Sequence, residues 1–278
     1  MRDRSLKALS KCVDRVVDTE DPSHVLDPVM LEHARRLVAS YDDERPDTEI
    51  LSAVGLFHWL RFTARGGEDP EEAAIAFWAF ARCMIYDDEP PPRKLIPHVL
   101  PEAVNLATGL LQRAAESDDL HLTEQAVDAW QRIETATPAD HPDQAVMWAN
   151  LRVALLLRFG QTEDPADLEE AIPVWEQALE ALPADHPDRA DLLSQLGCAL
   201  LTRFERAETP QDLEKAIAAW RQAVQITPAG RPDRAVHLFN LSTGLRIRAD
   251  LTGTPADREE AATVEEQAAR ARRENDLQ

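Results

Sequence analysis

Apolar residues recur along this chain at helical spacing, in pairs of runs separated by proline-rich breaks. The clearest pair lies between Pro183 and Pro228. Leu192, Leu193, Leu196, Leu200 and Leu201 form one apolar stripe, and Leu213, Ala216, Ile217, Trp220, Ala223 and Val224 form a second. Pro187 and Asp188 suit the opening of the first helix, where a missing N–H costs nothing and a carboxylate favours the positive end of the dipole. The stretch 208–212 reads as the turn, with Thr209 expected to cap the second helix before Pro210. The prolines of 227–232 end it.

This two-helix unit repeats every 45 residues. Pro138, Pro183 and Pro228 keep that spacing, as do Trp130, Trp175 and Trp220, and Ala126, Ala171, Ala216 and Ala261. Arg113, Arg158, Arg203 and Arg248 form another column, and Asn105, Asn150, Gln195 and Asn240 a fifth. A fainter copy lies upstream, where Ala74 and Ile75 answer Ala171 and Ile172, and Arg61 answers Arg158. A helical hairpin cannot bury its own apolar stripe, whereas stacked neighbours can. The expected fold is therefore all-α, a right-handed α-solenoid of helical hairpins behind an N-terminal helical extension. The extension is expected over 1–46 and the array over 47–278, with repeats at 47–92, 95–138, 139–183, 184–228 and 229–273.

Within the extension, Leu6, Leu9, Val13 and Val16 mark a first helix over 1–17, and a second is expected from Val29 to Tyr41. The first hairpin is expected over 50–65 and 71–86. Its aromatic residues, Phe57, Trp59, Phe62, Phe77, Trp78 and Phe80, read as an end core. Prolines 90–92 read as a joint, with the next helix opening near residue 101. The last repeat decays, with Glu265 in the tryptophan column, so the array is expected to stop there.

Net charge changes the picture by exclusion. A formal charge of −21 disfavours nucleic acid and an anionic membrane surface, and leaves room for a basic partner. No apolar run reaches the length of a membrane span. Cys12, Cys83 and Cys198 are few and far apart, which suggests no disulfide framework or zinc site and points to a reducing cytoplasm. Cys198 is expected to be a small buried residue.

The second helix carries Ala216, Trp220, Ala223 and Pro228 in the spacing A-x3-W-x2-A-x4-P, and the first carries Leu196–Gly197. These resemble the tetratricopeptide repeat, whose helices read W-x2-L-G-x2-Y and A-x3-F-x2-A-x4-P. The 45-residue length is similar to the long repeats of kinesin-light-chain-type arrays. The wording PADHPDRA is similar to bacterial tetratricopeptide proteins, many of them fused to CHAT proteases, although no protease motif stands here. The resemblance implies a non-catalytic adaptor that holds a protein or peptide partner, basic or apolar, in a concave groove lined by the first helices. It places Asn105, Asn150, Gln195 and Asn240 toward that groove, where side-chain amides can pair with an extended peptide backbone. The alternative use of these amides is hydrogen bonding between helices.

Other columns carry their own alternatives. Arg158, Arg203 and Arg248, with Arg113, either pair with carboxylates such as Asp167 and Asp212 or present a row of forks to an acidic ligand. Val146, Ala149, Val153, Leu156 and Leu157 make repeat three apolar on its groove-side positions, as an interface or as a seat for helix 1–17. His141 and His186 recur in Asp-His-Pro loops a whole repeat apart, too far to share one ion, so no metal is expected. HExxH, Walker, GxSxG and GxGxxG patterns are all absent, so no cofactor and no catalytic residue is expected. A self-associating homo-oligomer, or a small-ligand sensor or enzyme built in the groove, are the other readings.

Overall fold

The structure is a computed structural model and describes residues 2–43, 45–87, 89–138 and 141–275. Among these residues there are twelve α-helices and no strand: α1 Arg2–Thr19, α2 Pro28–Ala39, α3 Thr48–Ala64, α4 Pro70–Tyr86, α5 Ile96–Glu116, α6 Leu120–Ala136, α7 Gln144–Thr162, α8 Pro165–Ala181, α9 Arg189–Ala207, α10 Pro210–Ile226, α11 Asp233–Thr252 and α12 Pro255–Asn275. Residue-to-residue packing divides the chain into two compact units, 1–150 and 151–278, with the boundary inside α7.

In the first unit α1 packs on α2 and α3. Leu9, Val13 and Val16 meet Leu37, Leu51, Val54 and Phe57 in one buried cluster. Phe57 and Phe80 are buried, and Trp78 is partly buried with Tyr41 set edge-on to it at 5.1 Å. Helix α5 opens at Ile96, five residues before the expected start, after a 3-10 turn at Arg93–Leu95. Leu95, Ile96, Val99 and Leu100 are all buried. Their burial carries the helix upstream through Pro101, which costs one backbone bond.

The second unit shows what the 45-residue register builds. Helix α9 packs on α10, α10 on α11 and α11 on α12, so consecutive hairpins stack. Trp220 is buried and its Nε1 donates to the carbonyl of Ser194 at 3.0 Å. A Cβ added at Gly197 would lie 2.5 Å from that Nε1, and one added at Gly244 would lie 2.8 Å from the far edge of the same indole. The indole is thus clasped between two glycines, one on α9 and one on α11.

Polar groups hold the joints. Arg189 donates to the carbonyls of Leu179 and Leu182 at 2.5 and 3.1 Å, and Arg234, one repeat on, donates to Val224 and Thr227. Each ties down the orphan carbonyls at the end of the preceding helix. Asp47, Asp69, Asp119 and Asp164 cap α3, α4, α6 and α8 through their carboxylates. Thr209 sits at the N-cap of α10 but makes no side-chain capping bond, contrary to expectation. The repeated loop histidines are local caps too, since Nδ1 of His141 accepts from Asp143 N–H and Nδ1 of His186 from Asp188 N–H.

Candidate functional site

In the last four hairpins the first helix turns one strip outward, whereas on α3 the corresponding Ala53 is buried in the core. On α5 it comprises Pro101, Asn105, Thr108 and Gln112; on α7, Val146, Asn150, Val153 and Leu157. On α9 it comprises Asp191, Gln195, Cys198 and Thr202; on α11, Val236, Asn240, Thr243 and Ile247. The spacing i, i+4, i+7, i+11 keeps four side chains on one face. Every one of these residues is exposed or half-exposed. Charged residues make up 29% of the chain, yet Asp191 is the single charged side chain in these strips.

The amide column divides. Asn105 and Gln195 are exposed. Asn150 donates to the carbonyl of Val146 within its own helix at 2.9 Å. Asn240 reaches from α11 to α9, donating to Ser194 Oγ at 3.2 Å and approaching Cys198 Sγ at 3.6 Å. That reach sets the strips of α9 and α11 side by side. Cys198, expected to be buried, is exposed, and its register position lies on this strip. Burial of its sulfur still raises the thiol pKa.

The apolar members stand out. Val146 and Val153 are 51% and 44% exposed, and Leu156 and Ala149 are partly exposed. Helix α1 packs on α2 and α3. On α11, Val236 and Phe239 are 57% and 58% exposed, a pair that sequence reasoning missed because the last repeat reads as decaying.

The arginine column is engaged within the protein. Arg158 meets Asp167 at 2.6 Å, Arg203 grips Asp212 with two bonds of 2.8 and 2.7 Å, and Arg248 grips Asp257 with two of 2.9 and 2.6 Å. The hydrogen bonds to Asp212 and Asp257 raise the pKa values of Arg203 and Arg248, and Arg248 in turn lowers that of Asp257. Each fork ties the end of a first helix to the start of a second. Arg113 is exposed, and the position that would supply its carboxylate is Leu122.

Each unit also holds a cleft lined by apolar and polar residues. One of about 590 Å³ in the first unit is walled by Met84, Pro90, Pro91, Ile96, Leu100 and Thr137. Arg132 at its edge donates to the carbonyl of Ile85 at 3.0 Å. The other, of about 400 Å³ in the second unit, is lined by Pro187, Asp191, Ile226, Pro228, Arg231 and His237. Among the described residues no group of three or more His, Cys, Asp or Glu is placed to hold a metal. No described helix is long and apolar enough to cross a membrane.

No protein-family model and no curated protein matches the chain. Among solved structures it is similar to the crystal structure of BtubC (BKLC) from P. vanneervenii, at 16% sequence identity and a TM-score of 0.45, over 98% of this chain and 91% of that one. A likeness this distant leaves the functional reading to the chain's own geometry.

Proposed function

We propose that this protein is a non-catalytic scaffold that holds a protein or peptide partner against the outward strips of its first helices. The observation that carries the reading is the depletion of charge in those strips within so acidic a chain. Contact surfaces lose charged residues at their centre, because a charge buried there must be desolvated. A merely solvated face has no such reason to exclude Glu and Lys. Exposed Val146, Val153, Val236 and Phe239 supply apolar area, and Asn105 and Gln195 supply donors and acceptors. The arginines stabilise the hairpins in this reading and do not contact the partner. Three free thiols suit a reducing compartment.

Charge inserted into a strip tests this. Val236→Asp and Gln195→Asp should each weaken capture of co-purifying partner by about tenfold or more. Gln222→Asp, on the exposed face of α10, should leave capture unchanged. All three should melt close to the parent, since surface substitutions rarely exceed about 0.5 kcal/mol. Equal capture by all three proteins contradicts the reading. If the captured species is a second copy of the chain, light scattering will show a dimer that Val236→Asp dissolves.

A further inference from the structure

His237 is 2% exposed and sits in a register position that is Met147 and Leu192 in the preceding repeats, both buried and apolar. Asp191 takes a position that is Val146 and Val236 in the flanking repeats. Two polar residues thus stand where the adjacent repeats carry apolar ones, and the fold brings them together across α9 and α11. Nε2 of His237 lies 3.4 Å from Oδ1 of Asp191 without the direction of a hydrogen bond, and Nδ1 has no partner. Burying an imidazole with both nitrogens unserved is costly unless something else serves them. Burial lowers the pKa of this ring, against the opposing pull of Asp191 and Asp233, so the ring stays neutral and can accept.

We propose that the cleft beside Asp191 and His237 binds a basic side chain of the partner, a lysine ammonium or an arginine guanidinium. The cation's N–H groups are shared between the Asp191 carboxylate and the neutral imidazole, and its aliphatic stem lies on Pro187, Ile226 and Pro228. The cleft's own cations are committed elsewhere. Arg231 pairs with Asp233 at 3.0 Å, and Arg234 is held by the carbonyls of Val224 and Thr227. A metal ion fits less well. His186 lines the cleft, but its Nδ1 accepts from Asp188, which leaves the proton on Nε2 and no lone pair for a metal. The net charge of −21 favours a cationic visitor at long range. Asp191 is also the one charged residue of the outward strips, so the cleft would read a single basic residue within an otherwise uncharged contact.

The proposal rests on the scaffold reading but can fail separately, because its test needs no partner. The full chain is titrated with agmatine, and separately with butylamine, while the imidazole resonances are followed by NMR and His237 is assigned through a His237→Gln variant. At least one amine should shift the His237 ring saturably. Asp191→Asn should weaken that binding about tenfold or more, the cost of losing a charge-assisted hydrogen bond. An unmoved His237 ring with both amines overturns the proposal. So does a ring that Zn²⁺ shifts while neither amine does, and so does undiminished amine binding by Asp191→Asn.

Discussion

Replacing Trp220 by alanine should cost about 3–5 kcal/mol, the range for truncating a buried aromatic side chain. The residue is 1% exposed and touches three helices, its own and the two that supply Gly197 and Gly244. Truncation removes the ring, its hydrogen bond to Ser194 and the filling between stacked hairpins together. The damage should be local, since contacts in a repeat array run between neighbours. Hydrogen exchange should therefore quicken first in α9, α10 and α11. Gly197→Ala tests the same clasp from the opposite side. Its new methyl would collide with Nε1, at a cost of about 1–3 kcal/mol. A Trp220→Ala protein that loses under about 1 kcal/mol would show that the indole is not the wedge described.

Glu72→Ala should destabilise the first unit by about 3–5 kcal/mol, because it strands a buried cation. The Glu72 carboxylate accepts from Arg61 Nε at 2.8 Å and meets His58 Nδ1 at 2.6 Å, with all three side chains buried. Arg61 also donates to the carbonyl of Val25 at 2.5 Å, which fastens α3 to the turn before α2. Without Glu72 the guanidinium keeps the carbonyl of Val25 and the ring of Phe57 at 5.6 Å, and loses the carboxylate that balances its charge. The double variant Arg61→Met, Glu72→Leu should recover most of the loss, since an apolar pair buries no unmatched charge. A Glu72→Ala protein as stable as the parent, or a double variant no more stable than Glu72→Ala, would contradict this. Burial lowers the His58 pKa from its ordinary 6.5, against the pull of Glu72, so the folded state favours the neutral ring. Stability from this site is present above that pH and falls as acid protonates the ring. Urea titrations at pH 7.5 and pH 5.5 should show the parent weaker at the lower pH.

Much of this was legible because the repeat fixes residues in columns. The tryptophan column is buried at Trp130, Trp175 and Trp220, and the arginine column finds its carboxylates nine residues on wherever an aspartate stands there. Those pairings follow from local spacing within one hairpin, which sequence carries directly. What failed depends on contacts between hairpins or on cap geometry. Cys198 reads as a small core residue, but it stands on the outward strip of α9 and is exposed. Thr209 has the right identity for a cap, yet the first turn of α10 is organised by buried Asp212 and Arg203. Asn240 and Asn150 share a column and differ in use, because Asn240 has Ser194 within reach on the neighbouring helix. His237 and Asp191 left one readable signal, polar residues where the adjacent repeats are apolar, but their meeting needs the fold.

The central claim, that the low-charge strips of the first helices receive the partner, is tested most directly by site-specific photo-crosslinking. A photoreactive amino acid is placed at Gln195 or at Val236, and at Gln222 on the exposed side of α10 for comparison. The account predicts one common adduct from the strip positions and none from Gln222. An adduct from Gln222, with the strip positions silent, would place the partner on the opposite side and contradict it.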